Sequence, residues 1–220
     1  MQLHAVVVPP SDVVLAALEA ASELACAVPR TPQEKPRGRL LGRLRGRGPV
    51  EPAGPAVRFV PAAPEAVFVR LAKFGNVTAE DAADVAAALR AVAGTWTAPV
   101  LYVGRITVAE QAPFDVRAQL EGDVDALRDI YRNVNEVARA QRFFLDRRSF
   151  RAQLVIGSLE VGDETPSEAV IAEVAHRGRR WSPDCFTLVR PSFAAGLRFV
   201  EVAPIALAAV ADDLDLGAGA

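Results

Sequence analysis

Histidine and cysteine, which commonly carry acid–base or metal chemistry, are scarce in this sequence. Its 220 residues include two histidines, His4 and His176, and two cysteines, Cys26 and Cys185. The cysteines lie far apart, and neither belongs to a Cys-x-x-Cys pair or has a histidine close to it. The pattern therefore predicts neither a zinc site nor a disulfide framework, and we expect no metal and no cofactor.

Lysine and long apolar runs are also scarce. Lys35 and Lys73 are the only lysines among 25 basic residues. No apolar run reaches the roughly eighteen residues of a membrane-spanning helix, and no secretion signal precedes the first predicted strand. The composition is 51% apolar with a formal net charge of -2, which suits a globular unit with a sizeable core. We therefore expect a cytoplasmic protein that does not bind a membrane.

The stretch 30–55 is rich in proline, glycine and arginine and has no sustained apolar face, which predicts a long surface insertion. Residues 30–48 include seven basic residues against Glu34, a local balance of +6, so the rest of the chain carries -8. Arginines in such a loop can bind RNA phosphates, and that binding would weaken as salt rises. A solvated insertion that folds back on the acidic surface is the alternative, because the loop lacks the aromatic residues that single-strand binders use. The candidate nucleic-acid residues are Arg37, Arg39, Arg43, Arg45 and Arg47.

Hydrophobic periodicity and turn residues predict a similar order of elements in the two halves. The first half reads as a strand, a helix that begins at Ser11, a strand before Val77, a helix capped by Thr78 and two strands. The second half reads as a helix, a strand, a helix stopped by Gly178 and two strands joined at Gly196. The predicted strands include 3–8, 96–108, 114–120, 185–191 and 197–204, and the predicted helices include 79–93, 124–141 and 166–176.

This approximate duplication predicts an α+β architecture of two lobes, each an antiparallel sheet with helices on its outer face, and a central groove between the sheets. Residues two apart along a strand face the same side, so a site in that groove would be built from alternate positions. We expect one bilobal domain over 1–206, interrupted by the insertion over 30–55, and a frayed C-terminal tail over 207–220.

Two stretches, one in each half, match a known pair of sequence signatures. The first, FVPAAPEAVFVRLAKFGNV over 59–77, has Pro-Glu at 64–65 and Gly-Asn-Val at 75–77. The second, FFLDRRSFRAQLVIGSLE over 143–160, has a charged turn at 146–149 before an apolar strand. Together they resemble the signatures of the two-histidine (2H) phosphoesterases, the superfamily of the bacterial 2'-5' RNA ligases and RNA cyclic phosphodiesterases. The two stretches also occur in that family's order.

The residues that carry catalysis in that family are replaced here. Each family signature holds His-x-Thr or His-x-Ser on one face of a strand; one imidazole accepts a proton, the other donates one, and the hydroxyls hold the phosphate. In this sequence those positions are Phe68 and Arg70 in the first signature and Gln153 and Val155 in the second. Arginine stays protonated and the other three side chains do not titrate. The resemblance therefore implies the family's fold and groove with a degenerate catalytic site.

Three functions follow from the resemblance and the substitutions. The first is a non-catalytic protein that binds a nucleotide, an RNA end or another small anion, with Arg70 on the anion, Phe68 stacked on a base and Gln153 bonded to polar atoms. The second is an active cyclic phosphodiesterase or RNA ligase that uses a displaced residue such as His4. The third is a structural or interaction protein whose groove is filled, in which Gln153 and Val155 are ordinary strand residues. Enzymatic activity is left open, and the substitutions argue against it.

The two histidines have simpler interpretations as well. His4 is a candidate ligand-binding residue, although a histidine at the start of a strand is more often a surface residue. His176 is predicted to end the helix over 166–176 beside three arginines, where a cation meets the negative end of the helix dipole. We expect His176 to cap that helix.

Overall fold

The computed structural model describes residues 1–27, 57–143, 145, 150–161, 173–192 and 198–209. The predicted features that lie outside these residues are the insertion over 30–55, the charged turn over 146–149, most of the helix over 166–176, the Gly196 turn and the end of the tail. In the described part of the chain, no helix is long and apolar enough to cross a membrane.

The described residues form two antiparallel sheets and three helices. Sheet A has, in spatial order, β3 (Val69–Asn76), β1 (Gln2–Val7), β8 (Cys185–Ser192) and β9 (Arg198–Ala206). Sheet B has the order β2 (Val57–Pro61), β6 (Gln153–Val161), β5 (Phe114–Gly122), β4 (Leu101–Val108) and β7 (Glu173–Ala175). The helices are α1 (Ser11–Ala27), α2 (Ala79–Ala93) and α3 (Val124–Ala140). The predicted α+β architecture with two antiparallel sheets is confirmed.

The helices cover one face of each sheet and leave the other face toward the groove. Helix α1 packs on strands of sheet B, whereas α2 and α3 pack on β9 and β3 of sheet A. Along β1, Leu3, Ala5 and Val7 belong to the hydrophobic core, and His4 and Val6 alternate with them on the opposite face. Full burial of a leucine or valine side chain such as Leu3 or Val7 stabilises the fold by about 1.5–3 kcal/mol.

Each sheet takes strands from both halves of the chain. The β4–β5 hairpin follows the first signature strand, β3, along the chain but lies beside the second signature strand, β6, in sheet B. The β8–β9 hairpin follows β6 along the chain but joins β1 in sheet A. Each hairpin therefore joins the sheet that contains the signature strand of the other half. Neither half of the chain forms a complete sheet by itself.

Two predicted boundaries differ from the structure for local reasons. The strand predicted over 96–108 begins at Leu101, beyond Pro99, whose nitrogen cannot donate a hydrogen bond to a neighbouring strand. At the other end of the chain, Leu207 is in the core and Ala208 exchanges backbone hydrogen bonds with residues 96 and 98. The packed structure thus continues for two residues beyond the expected boundary at 206.

The predicted helix over 166–176 is wrong at its described end. Glu173–Ala175 form β7, which pairs with β4 at the edge of sheet B. The backbone N–H of His176 continues that pairing by donating to the carbonyl of Gly104 at 3.1 Å. His176 therefore follows a strand and caps no helix. Strands β2 and β7 are also elements that the hydrophobic pattern did not predict, and both lie at the edges of sheet B.

Helix α2 begins and ends where local chemistry predicts. The hydroxyl of Thr78 accepts a hydrogen bond from the Asp81 N–H at 3.0 Å, and the Asp81 carboxylate accepts one from the Thr78 N–H at 2.9 Å. The bonds from the Thr78 backbone and hydroxyl hold the pKa of the Asp81 carboxyl below its ordinary value. The predicted N-cap at Thr78 and the end at Gly94 are confirmed.

A bulge in β3 is held by helix α3. Two consecutive residues of β1 pair with Arg70 and Ala72, which leaves Leu71 as an extra residue on β3. The carbonyl of Leu71 accepts a 3.2 Å hydrogen bond from Nδ2 of Asn135, a residue of α3 that is 4% exposed. The bulge would otherwise leave this buried carbonyl without a partner from the strand ladder.

We predict that Asn135→Leu destabilises the fold by about 1–3 kcal/mol, because it leaves the buried Leu71 carbonyl without its donor at nearly constant side-chain volume. Chemical denaturation of wild type and variant measures the difference in the free energy of unfolding. Asn133→Leu, on the same helix at a partly exposed position, is the matched control and should change that free energy much less. Equal stability of the Asn135 and Asn133 variants would contradict this role for Asn135.

Candidate functional site

The two signature strands bring the four degenerate positions to one cavity. On β3 and just before it, Val69 and Leu71 are buried while Phe68 and Arg70 alternate with them on the groove face. On β6, Leu154 and Ile156 are buried, and the residues that alternate with them line the same cavity. The structure thus places Phe68, Arg70, Gln153 and Val155 together in the groove between the sheets.

The cavity is large, and the charged residues that line it in the described part of the chain are cationic. Its volume is about 680 Å³, within the range of about 300–1,000 Å³ that small-molecule sites occupy. Arg70, Lys73 and Arg151 line it, and no carboxylate does among the described residues. Val155 is 44% exposed, so it lies at the surface of the cavity and is not part of the core. The arrangement favours an anionic ligand.

Lys73 was not predicted to line the cavity, because the bulge places it on the opposite face of β3 from the one that simple alternation gives. By simple alternation, Lys73 would share a face with the buried Leu71. Beyond the bulge, however, Lys73 pairs with His4, which lies on the same face of β1 as the partner of Arg70. Lys73 therefore joins Arg70 at the cavity. Nothing in the local sequence marks the extra residue that produces this change.

Helix α3 and the chain before β6 supply the other lining residues that were not predicted. Tyr131 and Asn135 come from α3, and Phe150 and Arg151 come from the segment that leads into β6. Tyr131 and Phe150 are in ring contact, with centroids 4.9 Å apart. Helix residues that face a groove recur with the same period as residues that face the core. The sequence of α3 alone therefore did not show which of its residues line the cavity.

Polar residues of sheet B extend the groove beyond Gln153. Gln119 lies opposite Gln153 on β5, and its Nε2 donates to the hydroxyl of Thr107 at 3.3 Å. Arg117 lies opposite Val155 and donates to Asp115 at 3.2 Å. A second cavity of about 630 Å³ includes Arg117 and shares Arg151 with the first. The groove therefore continues along sheet B as a polar surface.

His4 lies beneath the cavity. It is 5% exposed, its ring meets Phe199 edge to face at 6.0 Å, and Nδ1 is buried without a hydrogen-bond partner among the described residues. Burial, and then the charges of Arg70 and Lys73, lower the pKa of His4 to about 4. His4 is therefore neutral at pH 7 and is not among the described residues that line the cavity.

The second histidine lies away from the groove. His176 lies beyond β7, at the far edge of sheet B from β6. The candidate nucleic-acid residues Arg37, Arg39, Arg43, Arg45 and Arg47 are outside the described residues. Among the residues that the structure describes, no cluster of three or more histidine, cysteine or acidic side chains is arranged to hold a metal ion.

We predict that His4 makes stability fall as the pH drops. The folded-state pKa is about 4, below the ordinary value of 6.5. As the pH falls, His4 is therefore protonated at a higher pH in the unfolded chain than in the folded protein. The stability that comes from a neutral His4 is fully present above pH 6.5 and is lost as the pH falls toward 4. Across this interval wild type should lose about 2–3 kcal/mol more than His4→Gln.

Denaturation curves of both proteins at pH 7.5, 6.0 and 4.5 test this expectation. An NMR titration of the imidazole signals, assigned by the signal missing in His4→Gln, gives the pKa directly. Parallel loss of stability in the two proteins, or a His4 pKa near 6.5, would show that the ring is not held in a buried, cationic environment.

Known structures share the fold of this chain, although the sequence comparisons find no match. No protein-family model matches the chain, and no curated protein matches its sequence. TT0787 of Thermus thermophilus is similar in structure, with a TM-score of 0.62 and 17% identity over 94% of this chain and 98% of that chain. E. coli LigT complexed with 3'-AMP has a TM-score of 0.63 and 14% identity over 94% of this chain and 97% of that chain.

A third similar structure is described as a phosphoesterase, with a TM-score of 0.60 and 14% identity over 94% of this chain and 98% of that chain. LigT has also been solved in complexes with NADP+, phosphate and ATP. These likenesses extend over nearly the whole of each protein. The chain therefore has the fold of LigT, TT0787 and this phosphoesterase, as its resemblance to the 2H phosphoesterases predicts.

Proposed function

We propose that the groove binds a nucleotide, an RNA end or another small anionic ligand without cleaving it. The observation that carries this proposal is the convergence of Arg70, Lys73 and Arg151 on one open cavity that no described carboxylate lines. Arginine donates two parallel hydrogen bonds to a phosphate, and lysine adds a point charge. Phe68 and Gln153 in the same cavity add a ring and a carboxamide for the rest of the ligand.

The similar structures support a nucleotide as the ligand class. LigT has been crystallised with 3'-AMP, ATP, NADP+ and phosphate, and the groove of this chain has the same fold around it. We extend this ligand class to the present chain because it combines the shared fold with a cavity lined by Arg70, Lys73 and Arg151. The arginine-rich insertion over 30–55 is a proposed second contact for the remainder of an RNA strand.

Absence of catalysis follows from the groups at the four signature positions. Hydrolysis or ligation at a phosphate needs an acid and a base on opposite sides of the phosphorus, and Phe68, Arg70, Gln153 and Val155 supply neither. His4 is the remaining candidate, but it is buried, neutral and outside the cavity lining. A single imidazole in that position does not replace two.

We predict that the purified protein neither hydrolyses 2',3'-cyclic nucleotides nor ligates RNA ends above background, because no imidazole lines the cavity among the described residues. Chromatographic analysis of products after prolonged incubation measures both activities. His4→Ala and His176→Ala are assayed alongside wild type. Turnover in wild type that disappears in His4→Ala would establish a displaced catalytic site, and turnover that survives in both variants would show catalysis by other residues.

We predict that Arg70→Ala weakens nucleotide binding by roughly 10- to 150-fold, the effect of losing hydrogen bonds from a charged group. Gln153→Ala should weaken it by roughly 2- to 10-fold, because a neutral hydrogen bond contributes less. Isothermal titration with 3'-AMP, ATP and inorganic phosphate measures these changes, and higher salt should reduce the binding of each ligand.

Arg90→Ala is the matched control, since Arg90 is an exposed arginine on α2 that does not line the cavity. It should bind like wild type. Equal binding by wild type, Arg70→Ala and Arg90→Ala would overturn the assignment of Arg70. Negligible binding by all proteins, with melting temperatures unchanged by nucleotide, would favour a structural role with no ligand in the groove.

A further inference from the structure

A buried histidine lies beside the cations of the cavity without lining it. His4 is 5% exposed, and its Nδ1 is buried with no hydrogen-bond partner among the described residues. In many proteins a hydrogen bond to one ring nitrogen decides where a histidine carries its proton. No such bond at Nδ1 holds either the neutral or the protonated form of His4. Burial and the neighbouring charges therefore set its protonation state.

The side chains around His4 also line the cavity. On β3, Lys73 lies opposite His4 in the strand pairing, and Arg70 lies opposite Val6, the next residue of β1 on that face. On β9, the ring of Phe199 meets the His4 ring edge to face. Lys73, Arg70 and Phe199 all belong to the cavity lining. An anion held by the two cations would therefore act on the imidazole as they do.

The charges nearest to His4 in sheet A are positive. Those of Arg70 and Lys73 lower its pKa, after the larger effect of burial. On β8 the residue opposite His4 is the uncharged Val189. Glu201 of β9 pairs with Val189, so it lies two strands from His4 on the same face, where it is exposed and does not line the cavity. The two cations of β3 are therefore the charges that a ligand would offset.

We infer that anion binding in the cavity is coupled to proton uptake by His4, so that the anion binds more tightly as the pH falls. The negative charge of the ligand offsets Arg70 and Lys73, and an imidazolium beside them becomes less unfavourable. By linkage, a ligand that favours the protonated form is bound more tightly by that form. The proton comes from solvent. This coupling rests on the proposed function, since it concerns the regulation of that cavity by pH.

Isothermal titration with sulfate and with the phosphodiester UpU, at pH 7.5, 6.0 and 5.0 and constant ionic strength, tests the coupling. Neither ligand changes its charge over this range. We take a bound anion to raise the proton affinity of His4 by about 10- to 100-fold. With a starting pKa of about 4, both ligands should then bind roughly 2- to 10-fold tighter at pH 5.0 than at pH 7.5.

The protons can also be counted directly. Titrations at pH 5.0 in buffers of different ionisation enthalpy should show an uptake by His4 of roughly 0.4 to 0.8 protons per bound anion. His4→Gln removes the titrating group, and His4→Phe is a second variant that keeps a ring against Phe199. The wild-type excess in proton uptake should disappear in both. Circular dichroism at each pH checks that every protein is folded.

His176→Gln is the matched control, because it removes the other histidine, which lies beyond β7 and does not line the cavity. It should keep the wild-type uptake. NMR gives an independent measurement: the His4 imidazole, assigned by the signal missing in His4→Gln, should titrate at a higher pH in saturating sulfate. Lys73→Gln should raise the His4 pKa without ligand, because it removes one of the charges that an anion would offset.

Two results would overturn the coupling alone. One is Arg70-dependent binding that takes up no more protons in wild type than in His4→Gln, and the other is a His4 pKa unchanged by saturating sulfate. The proposed function would stand in both cases. Absence of sulfate and UpU binding at all three pH values would overturn the coupling and the proposed function together.

Discussion

The hydrogen bond from Asn135 to the Leu71 carbonyl joins the fold to the groove. This bond gives a donor to the buried Leu71 carbonyl, which lies at the bulge where the pairing of β1 with β3 is interrupted. It also fixes α3 against the signature strand β3. Two features of the cavity depend on it. The bulge brings Lys73 to the face that holds Arg70, and the position of α3 brings Tyr131 to the same cavity. One buried amide thus places a cation and an aromatic ring that lie far apart in the chain.

The positive charge of Arg70 and Lys73 beside the cavity is a second constraint, because it affects the protonation of His4. Arg70 and Lys73 lie close enough to His4 to lower its pKa, in addition to the larger effect of burial. Burial, assisted by these two charges, keeps the imidazole neutral at pH 7. A bound anion would offset the same charges. Arg70 and Lys73, which act on His4, also line the cavity.

Sequence reasoning succeeded where local chemistry decides the outcome. The Thr78 capping box gave α2 its boundary, and the two signatures indicated the strand positions that meet in the groove. It failed where distant parts of the chain decide. Lys73 depends on a bulge stabilised by Asn135, β7 forms by pairing with β4, and the hairpins exchange between sheets. None of these long-range pairings leaves a periodic signal in the residues concerned.

The alternation of strand residues explains how this fold and the family's catalysis can be separated. On β3 and β6 the core depends on Val69, Leu71, Leu154 and Ile156, whereas the signature positions between them face the groove. Replacing a groove-facing side chain removes no core contact, so its cost to stability is small compared with the several kcal/mol of a core truncation. The fold therefore depends on the buried residues of β3 and β6 and tolerates different side chains at the groove-facing positions between them.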